Sequence, residues 1–230
     1  MPDDTSALHL VLTADPALLA IVRLSLIVSL SAVFFAALVG VPAGAALALV
    51  RFRGREIVVV VLNALMGLPP VVAGLALYLA LSRSGPLGAL GLLFTPAAMI
   101  IAQTVLVTPI IAALTRQTIE DLWVEYRDEL TAMQVGPLGR VMTLILDARF
   151  SLVTALLAGF GRAAAEVGAI IIVGGNIDGF TRMMTTAIAL ETSKGNLALA
   201  IGLGLVLIAI IALVNALAWT ARRAGERLAG

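Results

Sequence analysis

Hydrophobic residues run through this chain in long blocks, not in short alternations. Four blocks carry enough uninterrupted apolar residues to cross a bilayer, which takes about 20 residues: 17–50, with Arg23 its one charge, 57–82, 92–115 and 197–220. A fifth block, 150–175, is equally apolar but contains Arg162 and Glu166. The first block exceeds a simple crossing, so it tilts, bends near Gly40, Pro42 and Gly44, or projects from the membrane. A short apolar piece, Met183 to Leu190, cannot span and reads as re-entrant or interfacial. The pattern predicts an all-α integral membrane protein of about five transmembrane helices.

Composition agrees with that reading. Of 230 residues, 61% are hydrophobic and 13% charged, against about half and a quarter in soluble domains. The mean hydropathy is +1.09. Cysteine is absent and the one histidine is His9, so disulfides, thiol chemistry and a soft-metal site are excluded. A net charge of +1 and the lack of a basic run give no sign of a nucleic-acid partner. The first residues carry Asp3, Asp4 and Asp15 in place of the positive start of a secretory signal, so the first apolar block is expected to be retained.

Arginine and lysine set the expected orientation, because loops on the cytoplasmic side collect them. With the N-terminus outside, ten fall inside (Arg51, Arg53, Arg55, Arg116, Arg127, Arg140, Arg149, Arg222, Arg223, Arg227) and three outside (Arg83, Arg182, Lys194). The expectation is an external N-terminus and an internal C-terminus, with one membrane domain at 17–221 between a tail at 1–16 and another at 222–230.

Two connections are too long for plain turns, the cytoplasmic 116–149 and the external 176–196. In the first, Ile119, Leu122, Tyr126, Leu130 and Met133 recur at helical spacing until Gly136-Pro137 stops the helix. An interfacial helix usually carries a basic polar face. Here Glu120, Asp121, Glu125, Asp128, Glu129 and Asp147 outnumber the arginines, which suits a protein partner better than anionic lipid.

This loop resembles the coupling loop of type I ABC importer permeases, E-A-A-x-x-x-G followed nine residues later by I-x-L-P. Gly136 aligns with the family glycine, Leu130-Thr131-Ala132 with E-A-A, and Leu146-Asp147-Ala148-Arg149 with I-x-L-P; Glu129 falls one position early. GLPPVVAGLALY (67–78), LLFTPAAMIIAQTVLVTPII (92–111) and GFGRAAAEVGAIIIVGGNIDGFTRMMTTAIALETSKGN (159–196) are similar to the tungstate-uptake permeases, and more loosely to molybdate permeases. The resemblance implies a type I permease fold with a cytoplasmic coupling helix, and Glu129, Leu130, Thr131, Ala132 and Gly136 as the ATPase-docking loop. It implies a homodimer, two ATP-binding-cassette ATPase subunits that use ATP and Mg, and an extracytoplasmic oxyanion-binding protein. The setting is a bacterial or archaeal cytoplasmic membrane, and no cofactor is bound by this chain.

Arg162 and Glu166 share a helix face; they read either as an ion pair that fixes packing or as part of the translocation path. Pro69 and Pro70 remove backbone donors and interrupt the second span; they read as a packing kink, and by resemblance as part of the pathway. Asn176, Thr181, Arg182, Thr185 and Thr186 offer donors that can hold a tetrahedral anion at an outer gate, or else form a packed re-entrant cover. The chain lacks G-x-x-x-x-G-K-[ST], since its one lysine is Lys194, so it cannot hydrolyse ATP alone. A molybdate or sulfate permease, a secondary transporter and a membrane scaffold are the alternatives; the second normally shows inverted repeats, and none is found.

Overall fold

In hydrocarbon only a backbone that satisfies its own N–H and C=O groups can cross, and a helix does so within one segment. The computed structural model describes residues 16–229, and these are helical almost throughout, with no strand among them. The helices are α1 (Pro16–Leu49), α2 (Arg55–Met66), α3 (Pro70–Leu81), α4 (Pro96–Ala132), α5 (Pro137–Asp147), α6 (Arg149–Ala164), α7 (Gly168–Gly174), α8 (Met184–Ser193) and α9 (Leu197–Ala229). Three of them are long and apolar enough to cross a membrane, or five spans result if each of two bent pairs counts as one. The expected tail at 1–16 lies, apart from Pro16, outside the described residues, as does His9.

The first block forms one helix, which continues through Pro42. It packs along α4, which runs parallel to it: Gly40 meets Thr108 and Ala112, and Gly44 meets Ala112 to Arg116. The buried positions Ser25, Ser29, Ala32, Ala36, Gly40 and Gly44 recur every three or four residues. Small residues at this spacing let two helices approach closely in lipid. A Cβ at Gly44 would lie 2.4 Å from the carbonyl oxygen of Ala112. Gly44→Val is therefore expected to lower stability by about 1–3 kcal/mol, read by thermal unfolding in detergent. Gly161→Ala, where a Cβ meets nothing within 4 Å, is the neutral control.

Four expectations change. The block 57–82 is not one rod: α2 and α3 meet at 100° across Gly67–Pro69. The block 150–175 is also broken, because α6 ends at Ala164 and α7 restarts at Gly168. In that gap the carboxylate of Glu166 takes the Ala169 N–H and caps α7, where a continuous helix would have used a backbone carbonyl. Finally, α4 does not stop near Thr115. Thr95 caps its start, Pro96 occupies the first turn, and it runs 37 residues to Ala132, about 55 Å at 1.5 Å per residue. Most of the expected loop 116–149 is therefore the continuation of a span, a tight turn, and the separate helix α5. The expected tail after 221 likewise continues α9 as far as Ala229.

Candidate functional site: the broken helices and the docking elbow

Both helix breaks meet at one place. Pro69 is extended (φ −61°, ψ 123°) and Pro70 opens α3. The first turn of α3 then lies against the first turn of α7. A Cβ at Gly168 would sit 2.9 Å from Val71 Cγ2, and one at Gly74 only 2.7 Å from Ala169 Cα. Glycine on each side is what allows that approach.

Glu166 is the polar centre of this junction and is 2% exposed. One carboxylate oxygen lies 2.6 Å from Arg162 Nη1. The other accepts the Ala169 N–H at 3.0 Å. The Glu166 carbonyl accepts the Thr185 hydroxyl at 2.8 Å, which ties in α8. One turn earlier, Gln103 Nε2 donates to Ala163 O at 2.9 Å and ties in α4. A buried carboxylate is costly unless its oxygens are engaged, and here both are. The pair expected from the i, i+4 spacing is thus present, and Arg162, 30% exposed along its side chain, turns its remaining surface outward.

The hydroxyls of the 176–196 stretch are engaged with protein. Thr181 donates to Gly174 O and accepts the Ile177 N–H. Thr186 accepts the Met183 N–H, and the Met184 N–H donates to Ser25 on α1. Thr181, Thr185 and Thr186 are all buried. In this conformation they hold the segment that leads into α8 beside Glu166. Asn176 follows Gly175 in a left-handed turn (φ 50° and 72°). Arg182 pairs with Asp178 at 2.8 Å, beside a cavity that Arg23 also lines. At the end of α8, Glu191 lies below its ordinary carboxyl pKa because Lys194 hydrogen-bonds it.

The second site lies at the other end of α4, some 27 residues from Gln103, which is about 40 Å of helix. Here α4 and α5 form an elbow. The turn between them is closed by Val135 N–H to Leu130 O and by Arg140 Nε to Val135 O, with the Arg140 guanidinium over Trp123. Leu130 is buried against Ile119, Leu144, Ala148, Leu152 and Ala45 of α1. Glu129, Thr131, Ala132 and Gly136 are exposed on the elbow. Beside Met133, which the helical spacing already marked, the structure adds Leu138 and Met142 beyond Gly136-Pro137. Met133, Leu138 and Met142 are 73%, 83% and 61% exposed at the tip and along α5. Leu138, Met142 and Leu146 recur every four residues opposite the packed Val141, Leu144 and Ile145, so α5 is apolar on two faces. That four-residue spacing after Gly136-Pro137 was the signal available in the sequence.

Among the described residues, no group of three or more His, Cys, Asp or Glu is placed to hold a metal ion. No family model matches the chain. Curated proteins do. The chain is similar to the "Probable anion ABC transporter permease protein" of Haloferax volcanii, at 42% identity over 205 residues, 87% of this chain and 88% of that one. It is 39% identical over 215 residues to the "Tungstate uptake system permease protein TupB" of Peptoclostridium acidaminophilum, covering 94% of both. It is 37% identical over 209 residues to the TupB protein of Campylobacter jejuni, covering 91% of this chain and 87% of that one.

Proposed function

The chain belongs to the ABC transporter permeases of the oxyanion-uptake type, and from that membership we propose that it is the membrane subunit of an importer carrying tungstate. Two copies pair about a two-fold axis, two ATP-binding-cassette ATPase subunits dock from the cytoplasm, and an extracytoplasmic binding protein delivers the anion. The ten-to-three distribution of basic residues supports an external N-terminus and a cytoplasmic Arg-rich end in the cell membrane. ATP and Mg belong to the ATPase subunits.

The observation that carries this reading is the continuity of α4. One unbroken helix passes beside the Glu166 junction and ends in an exposed elbow, so a push at the elbow moves the wall of the junction. ATP-driven closure of the ATPases would rock α4 with α5, and the breaks at Gly67–Pro69 and Ala165–Val167 are where the other spans can flex. Pro69, Pro70, Arg162 and Glu166 then stand at the gate. Thr185 and Thr186 support it from α8, and Asn176, Thr181 and Arg182 shape its outer approach.

The docking glycine has a particular logic. Gly136 has ordinary torsions (φ −68°, ψ 163°), and a Cβ on it would meet nothing within 4 Å in the chain. The fold itself therefore does not demand glycine there, and a close-fitting partner would.

Uptake by the reconstituted complex, with excess molybdate or sulfate as competitor, tests the anion. The tungstate reading requires that sulfate fail to compete and that molybdate compete less well than unlabelled tungstate. Equal or stronger competition by molybdate assigns a molybdate permease instead.

A further inference from the structure

At the Arg-rich end, three charged side chains tie the start of α2 to α4 and to the end of α1. Glu120 on α4 accepts from Arg55 with one oxygen and from Arg116, one turn back on α4, with the other. Arg55 opens α2, and its Nε also donates to Leu47 O in the last turn of α1, at 2.8 Å. Its remaining contact is Glu56, an exposed neighbour at 2.9 Å. The Arg55 and Arg116 side chains are less than one-fifth exposed and Glu120 is 31% exposed, so solvent screens this cluster less than a free surface pair.

Elsewhere α2 is loosely held. Val59 alone of its residues is buried, while Ile57, Val60 and Val61 are half or more exposed. Both ends can pivot. Gly54, with φ +90°, stands before its first residue, and a Cβ there would meet nothing within 4 Å. Gly67 begins the 100° break, and a Cβ there would meet only Ala64 O at 3.6 Å. A cavity of about 930 Å³, lined by Arg51, Arg55, Glu56, Glu120 and Trp123 among others, leaves space at the base of the helix. The far end of α2 leads to Pro69-Pro70 and so to the first turn of α3 against α7.

We propose that Glu120 and Arg55 are positioning residues that couple the elbow to the gate, by making the base of α2 travel with α4. The proposal rests on the importer reading above. When α4 rocks, Glu120 carries Arg55 with it, α2 turns on Gly54 and Gly67, and the break beside Glu166 is displaced. Both Glu120 oxygens are engaged within the chain, and Glu120 lies about 15 Å of helix before Leu130 at the elbow, so its loss should leave assembly and hydrolysis intact and uncouple them from transport.

The test uses the complete permease–ATPase complex in proteoliposomes and reads tungstate taken up per ATP hydrolysed. In Glu120→Gln that ratio is expected to fall about tenfold, with co-purification of the ATPase and its hydrolysis retained. Arg55→Gln should behave the same way and serves if the first variant assembles poorly. The absence of native cysteine allows a sharper arm. Arg55→Cys with Glu120→Cys should be uncoupled when reduced, and recover when joined by a reducible bis-methanethiosulfonate spacer as long as the pair it replaces. A wild-type ratio in Glu120→Gln, or an uncoupled double variant that the spacer does not rescue, overturns the proposal. A wild-type complex without ATP-dependent uptake overturns the importer reading instead.

Discussion

Glu166→Ala is expected to lower the stability of the isolated chain in detergent by about 3 kcal/mol, near the lower bound for breaking a buried ion pair. The lower bound applies because Arg162 is partly exposed and can turn to solvent or lipid headgroups once released. What cannot be relieved is the buried Ala169 N–H, which loses its acceptor at the start of α7. An unsatisfied buried donor alone costs about 1–3 kcal/mol. Glu166→Gln separates the two contributions, since its amide oxygen can still accept from Ala169 while the charge that faces Arg162 is gone. It should therefore lose about half as much. Thermal unfolding of both variants measures this. Equal stability of Glu166→Ala and wild type would mean that the two helix breaks do not depend on this carboxylate. The glutamine variant also distinguishes packing from gating, because a folded chain with impaired uptake would place the charge in the transport cycle.

Leu138→Asp with Met142→Asp should abolish capture of the ATPase subunit while leaving the chain folded. Both side chains are exposed on α5, so the substitutions cost the chain little by themselves. A central apolar anchor lost from an interface costs about 2 kcal/mol or more. Two of them therefore weaken the complex about a thousandfold. Gly136→Asp probes the same contact at the turn, where the chain has room for the side chain and a close partner does not. Co-purification and the thermal midpoint are read together. Retained capture in both variants would move the docking surface off the elbow, whereas loss of capture with a lowered midpoint would point to damaged folding.

The sequence was most legible where burial in lipid is the only consideration. The block 197–220 is apolar but for Asn215 and Thr220 and forms the first two-thirds of one helix, and the first block likewise forms a single helix despite Pro42. The ion pair of Arg162 and Glu166 is one of the two readings that their spacing allows, and the contact is present. The break between α6 and α7, in which Glu166 lies, does not follow from the sequence, because apolar composition is the same on both sides and only the tertiary contact with α3 selects it. The end of α4 misled for the opposite reason. Composition turns from apolar to charged at Arg116, although the helical period continues to Ala132, so the change marks a boundary of solvent and not of helix. Helix α5 carried its own signal in Pro137 at the first position and in Leu138, Met142 and Leu146. Those apolar residues gave no sign of which would face outward. Nor can a threonine declare from sequence whether its hydroxyl serves a ligand or a backbone carbonyl. Thr181, Thr185 and Thr186 are spent on the backbone here.

The most direct test of the importer account is anion accumulation in proteoliposomes that hold this chain with its ATPase subunits, with the anion-loaded binding protein and ATP on opposite sides. The account predicts tungstate uptake that requires ATP, the ATPase and the binding protein together, and that stops when any one is withheld. Uptake by the chain alone, driven by a gradient and indifferent to ATP, would contradict it and make the protein a secondary transporter.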